Sequence, residues 1–476
     1  MKHIYNSETF RKSGHELIDL LADHLTAAQQ GNISVLNWET PDNQFAFWEK
    51  YDLEDGSITT LFDDIIKRSI TLNHPRYAGH QISPVAPVTA LAALVAAFMN
   101  NGMGVYEMGP ASTAIEKVVI KFFAEAIGYG ANADGFLTSG GTLANLTALL
   151  AARSVHAHTD VWQAGHAGQK LAIMVSAEAH YCVDRAARIM GFGEEGILKI
   201  ETNDRFQMRT ELLDYQFERA TEMGFQVIAI VGSACTTSTG SYDDLEAIAD
   251  FAERHGIWFH VDGAHGGAAV FSEKYKPLTH GIHRADSVVI DCHKMLMTPA
   301  VVTALVFRNS QNAYKTFNQK AQYLWKEAAE EEWYNLAKRT FECTKEMMSI
   351  KFFCMMQLYG KQGFAEFVET LYDLGKTFAK LIKKRPELEL LTEPECNIVC
   401  FRVYNPELNV TENNRVNNTI RQNIIESGAF YIVQTTLRDT IYLRATLMNP
   451  FTTESDLEAL LSAIFATRNP LPATLK

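Results

Sequence analysis

Between about residue 112 and residue 307, short and almost wholly apolar runs alternate with segments of helical periodicity. The runs are GFLTS (135–139), KLAIMVS (170–176), GILKI (196–200), QVIAIVGSA (226–234), IWFHVD (257–262), SVVID (287–291) and TALVF (303–307). Segments 141–157, 181–191, 210–223 and 242–255 space their apolar residues as helices do. A strand buried on both faces reads as a continuous apolar run, and strand–helix–strand order lays strands parallel with helices over them. The expected core is an α/β domain with a mainly parallel central sheet and helices on both faces.

Two of these strands end in chemistry. Asp262 closes IWFHVD, and Lys294 stands just past SVVID. Ligands of such sheets bind beyond the carboxyl ends of the strands, so both side chains should face one crevice. A carboxylate and an amine there suit pyridoxal phosphate. The lysine forms the Schiff base, and the aspartate keeps the pyridine nitrogen protonated, so the ring becomes an electron sink for bonds broken at an amino acid's α-carbon. Read singly, Asp262 is a solvated cap and Lys294 a surface lysine. Against that, Asp262 lies between FHV and GAHGG, where an unpaired carboxylate is costly, and Met295, Leu296 and Met297 follow Lys294.

The stretch LTSGGTLANLTALLAAR (137–153) leaves a strand and opens a helix. Ser139, Gly140, Gly141 and Thr142 would present N–H groups and hydroxyls to an anion at a helix N-terminus, and the glycines allow close approach. The stretch is neither a Walker A loop nor a GxGxxG, so nucleotide binding is not expected. His180 and Thr236 also follow strand ends. Beside a cofactor, the first is placed to stack on a ring and the second to hydrogen-bond; in isolation each is a structural residue.

The 476 residues exceed one simple core. Residues 1–80 form an N-terminal helical arm, expected to be swapped onto a second subunit, because Phe10, Leu17, Leu20, Leu21 and Leu25 share one face it cannot bury alone. Residues 81–345 form the large cofactor-binding domain. Residues 346–476 form a small α+β domain whose antiparallel strands are CNIVCFRVY, AFYIVQTTL and TIYLRATL. A composition of 47% hydrophobic and 21% charged residues is that of a globular enzyme. The net charge of −13, without a basic stripe, argues against nucleic-acid and membrane-surface partners. The N-terminus has no apolar signal segment, and the apolar run from Val85 to Met99 is short for a bilayer. Seven scattered cysteines without a CxxC pair point to a reducing cytoplasm and to no metal site.

TSGGT, AEAH, HVDGAHGG and ADSVVIDCHKM, in that order, resemble the group II pyridoxal-phosphate-dependent amino acid decarboxylases, which include aromatic amino acid, glutamate, cysteine sulfinate and diaminobutyrate decarboxylases. FRKSGHELIDLLADHL, NHPRYAGHQISP and YLRATLMNP extend the resemblance over nearly the whole chain. It implies fold type I and a homodimer with active sites near the subunit interface. The implied activity is α-decarboxylation of an L-amino acid to amine and CO2. By the same resemblance, Lys294 is the Schiff-base lysine, Asp262 holds the pyridine nitrogen, and His180 stacks on the ring opposite Ala264. Ser139, Gly140, Gly141, Thr142 and His293 surround the phosphate, and Thr236 bonds near the ring hydroxyl or the substrate carboxylate. Tyr323, beside a Glu-rich segment, is the proton donor to Cα from a mobile loop. Arg444 lies near the substrate carboxylate, and His74, Tyr77, His80 and Ser83 form the substrate-side segment. The chain departs from the family at Lys345 and Glu346, where many members have paired arginines. It also departs at Cys235, where many have glycine, and after Lys294, where many aromatic-specific members have an aromatic residue. These departures leave the substrate open among aromatic, diamino and acidic amino acids. Transamination, β-elimination, decarboxylation-coupled oxidative deamination and an idle scaffold are the competing readings.

Overall fold

A computed structural model of the chain describes residues 1–53, 56–317 and 332–467. It divides into two compact units, one of Val85–Tyr372 and one joining Met1–Pro84 to the residues from Asp373 on. β1 (Tyr77–Ala78) belongs to the second unit. The first carries β2 (Asp134–Thr138), β3 (Lys170–Ser176), β4 (Ile197–Ile200), β5 (Phe225–Ser233), β6 (Trp258–Asp262), β7 (Ser287–Asp291) and β8 (Thr303–Phe307), in sheet order β2-β8-β7-β6-β5-β3-β4.

All seven expected runs are strands of this sheet. From β7 to β4 the neighbours are parallel, whereas β8 runs against both β7 and β2. The reason is chain length. A parallel pairing needs a crossover of a dozen or more residues, usually a full helix, and residues 292–302 between Asp291 and Thr303 hold only the one-turn helix Cys292–Met295. Strand residues Ile173, Val175, Val231, Val289 and Leu305 pack against Ala148 and Ala152 of the helix Gly141–His156. Each fully buried Val, Leu or Ile of this kind contributes about 1.5–3 kcal/mol. The helix Leu245–His255, N-capped by Asp244, ends on Gly256 at φ 62° and returns the chain to β6.

The second unit holds β9 (Leu388–Leu390), β10 (Ile398–Val403), β11 (Tyr431–Leu437) and β12 (Thr440–Thr446) in the order β1-β11-β12-β10-β9. All pairings are antiparallel except β1 with β11. Arg438 and Asp439 turn the β11–β12 hairpin with φ 47° and 62°, as a two-residue turn of right-twisted strands requires. Capping boxes open its helices Val410–Ser427 and Glu454–Ala466. The N-terminal helix Ser7–Gln29, capped by Asn6, buries only Ala28, while Phe10, Ile18 and Leu21 are 53%, 43% and 42% exposed. The long helix Met348–Lys383 is broken at Gly360. The run from Val85 is mostly the helix Pro87–Met99, and no helix among the described residues is long and apolar enough to cross a membrane.

Candidate active site

At the carboxyl ends of β2, β5, β6 and β7 a cavity of about 290 Å³ opens in the larger unit. Ser139, Gly140, Gly141, Thr142, His180, Asp262, Ala264, His293 and Lys294 all line it, as the sequence led us to expect. Gly140 sits at φ 113°, a conformation that favours glycine, and caps the helix Gly141–His156 without any side chain. The first N–H groups of that helix are thus left to an external acceptor. Ser139 Oγ donates to Glu342 Oε1 at 2.7 Å.

Lys294 Nζ lies 2.9 Å from Asp291 Oδ2. Burial alone would discharge this amine, but Asp291 and then Asp262 outweigh it, and the Lys294 pKa stands above the usual lysine value. Burial likewise opposes ionisation of Asp291, yet Lys294 and His293 hold its pKa below the usual carboxylate value. Asp262 accepts from the Ala264 N–H at 3.2 Å and is 8% exposed. His180 caps the helix Tyr181–Ile189, its Nδ1 accepting from Cys182 N–H. Burial lowers its pKa, with Asp262 opposing, so the ring is neutral near pH 7.

One expected cofactor residue is not among those lining the cavity. The Thr236 hydroxyl accepts from Ser241 N–H and bonds Thr239 Oγ1 at 2.8 Å, closing a tight turn. Its neighbours Cys235 and Thr237 line the cavity instead. Asp291, Asn145 and His265 also line it and were not singled out from sequence. Tyr323 lies outside the described residues.

In the smaller unit, Tyr77, His80 and Arg444 assemble with two further residues, Tyr431 and Arg421. The rings of Tyr77 and Tyr431 stack at 5.6 Å, and His80 lies 5.9 Å from Tyr431. A Cβ on Gly79 would come within 2.0 Å of the Tyr431 ring, so only glycine fits between them. Burial first, then the nearby Arg444 and Arg421, lower the His80 pKa. His74 and Ser83 are buried, and the His74 ring accepts from the Arg76 N–H.

Pyridoxal 5'-phosphate needs an amine for its aldehyde, an acid for its ring nitrogen and a cradle for its phosphate. This cavity offers all three, and with the sheet it defines a fold type I, pyridoxal-phosphate-dependent enzyme. More narrowly, residues 50–404 match the family model described as the pyridoxal-dependent decarboxylase conserved domain, and the chain belongs to that family. The chain is 28% identical over 478 residues to the acidic amino acid decarboxylase GADL1 of Mus musculus, covering 96% of this chain and 86% of that protein. It is 27% identical to an aromatic-L-amino-acid decarboxylase of Bacillus atrophaeus, with 97% and 96% covered. The crystal structure of mouse CSAD shares the fold, with a TM-score of 0.90 at 24% identity over 98% of this chain and 100% of that one.

Proposed function

We propose that this pyridoxal-phosphate-dependent carboxy-lyase acts on L-amino acids with an acidic side chain, and that Lys294, Asp262 and His180 do its cofactor chemistry. The observation that carries the reading is the contact of Lys294 Nζ with Asp291 Oδ2 at 2.9 Å, in a cavity that Asp262 also lines. When bound, the cofactor would supply an electron sink for the pair of the broken Cα–carboxylate bond. Lys294 would make the covalent link to it, and Asp262 would keep a proton at the ring nitrogen. His180 and Ala264 would pack against the ring, while Ser139, Gly140, Gly141, Thr142 and His293 would hold the phosphate. Tyr323 would deliver the proton to Cα. The acidic preference is supported by the likeness to an acidic amino acid decarboxylase. The enzyme works as a cytoplasmic homodimer, with residues 1–80 as the exchanged arm.

CO2 release should be measured with the twenty standard amino acids plus cysteine sulfinate, diaminobutyrate, ornithine and DOPA. The acidic compounds should lead, and a clear lead by an aromatic or cationic substrate would overturn the preference. Borohydride reduction of the holoenzyme should place the pyridoxyl label on Lys294; a label elsewhere removes the assignment.

A further inference from the structure

Beneath the cavity runs a buried chain of hydrogen bonds whose direction is fixed at both ends. Trp258 Nε1–H, which can only donate, reaches Ser287 Oγ at 2.9 Å. The Gly141 carbonyl oxygen, which can only accept, receives Asn145 Nδ2–H at 2.9 Å. Between them stands His260, with Nδ1 2.8 Å from Ser287 Oγ and Nε2 2.8 Å from Asn145 Oδ1. Ser287 Oγ accepts from Trp258 and keeps its own proton free to donate to His260 Nδ1, which is an acceptor wherever Nε2 carries the neutral ring's hydrogen. Asn145 has committed its amide nitrogen to Gly141, so its oxygen faces Nε2, which must carry the ring's hydrogen. None of these side chains meets solvent to loosen the order: Trp258, His260, Ser287 and Asn145 are at most 1% exposed.

We infer that His260 is a positioning residue, locked as the Nε2–H tautomer, which through Asn145 holds the turn that receives the cofactor phosphate. The inference rests on the reading above that Ser139–Thr142 is that turn. Burial keeps the imidazole neutral, with its pKa pushed down to about 4. His260 and Asp262 share one face of β6, two residues apart. A single strand thus sets both the acid for the ring nitrogen and, through the relay, the first helical turn at Gly141.

The test is the preference of the enzyme for pyridoxal 5'-phosphate over pyridoxal, measured as a ratio of dissociation constants. Ser287→Ala removes the donor to Nδ1, and the ring then turns to its other contact, the Ser287 carbonyl oxygen at 3.2 Å. That leaves a bare Nε2 against Asn145 Oδ1, forcing the amide over and setting oxygen against the Gly141 carbonyl. Although Ser287 does not line the cavity, the preference should fall about tenfold, the effect of one lost hydrogen bond, with pyridoxal affinity unchanged. An unchanged ratio, or equal weakening for both ligands, overturns the relay. Ser139→Ala is the control: if it leaves the ratio untouched, the phosphate reading itself fails, whatever Ser287→Ala does. Should Ser287→Ala not fold, neutron diffraction of the unaltered holoenzyme decides. Hydrogen on Nε2 and none on Nδ1 is expected, and the reverse tautomer or an imidazolium overturns the inference.

Discussion

An amine withdrawn from water gives up its proton unless a carboxylate holds it, and Asp291 Oδ2 stands 2.9 Å from the partly exposed Lys294 Nζ. Asp291→Asn removes that charge and leaves Asp262 as the main group opposing burial. The pKa of Lys294 should drop by about one unit or more, since about 1.4 kcal/mol of lost interaction corresponds to one unit. The pH dependence of Lys294 modification by an amine-directed reagent in the apoenzyme reads this directly, and an unmoved midpoint would assign the effect to Asp262. Asp262 and Lys294 were legible in sequence because each interrupts an apolar context with a charge. Asp291 was not: it closes SVVID as a polar strand end does, and its pairing depends on the one-turn helix Cys292–Met295, too short to leave a periodic signal. Thr236 stands off the cavity lining for the same kind of reason. Which of three neighbouring side chains points inward is decided by the turn through Ser241, not by residue type.

At the scale of elements, β2 is the edge strand of the large sheet, and an open edge invites unwanted pairing. Here the edge is closed by side chains. Glu116 Oε1 accepts the Leu137 N–H at 3.0 Å, and Lys345 Nζ donates to the Leu137 carbonyl at 2.6 Å and to Glu116 at 2.5 Å. Both partners are almost wholly buried, at 3% and 2% side-chain exposure. Lys345→Met leaves the Glu116 carboxylate in the interior without its counter-charge, a loss of about 3–5 kcal/mol. Lys345→Met with Glu116→Gln removes both charges and should recover more than half of that. Urea unfolding of the two variants checks it, and equal destabilisation would show that packing of the lysine stem, not charge, matters. The seven strands of this sheet were readable from apolar runs, since burial on both faces writes itself into nearly every residue of the central strands. The edge closure was not, because it joins positions 229 residues apart.

For the whole molecule, apolar surface left outside either core bears on assembly. Phe10 and Leu21 of the N-terminal helix are 53% and 42% exposed, a stripe the sequence already marked as needing a partner. Phe10→Asp with Leu21→Asp should lower the fraction of the proposed dimer in sedimentation equilibrium; a dimer of unaltered stability would remove the arm from the interface. The molecule's response to acid follows from its histidines. Burial lowers the pKa of His24, His74, His80, His156, His180 and His260. A group with a folded pKa below its unfolded value takes up its proton more readily when the chain unfolds. The unfolded state therefore gains as pH falls below 6.5, the ordinary histidine value, and the loss is complete only below the folded pKa. For His260, whose pKa falls from 6.5 to about 4, this amounts to about 3 kcal/mol. The depressed pKa values of Asp291 and Asp134 extend the loss below the normal carboxylate range. Denaturant unfolding of the apoenzyme should thus show stability level between about pH 7 and pH 8, and falling steadily from pH 6.5 toward pH 4. A His260→Gln variant should fall less steeply in that window, and a parent profile level down to pH 4 would mean that these imidazoles are charged in the folded protein.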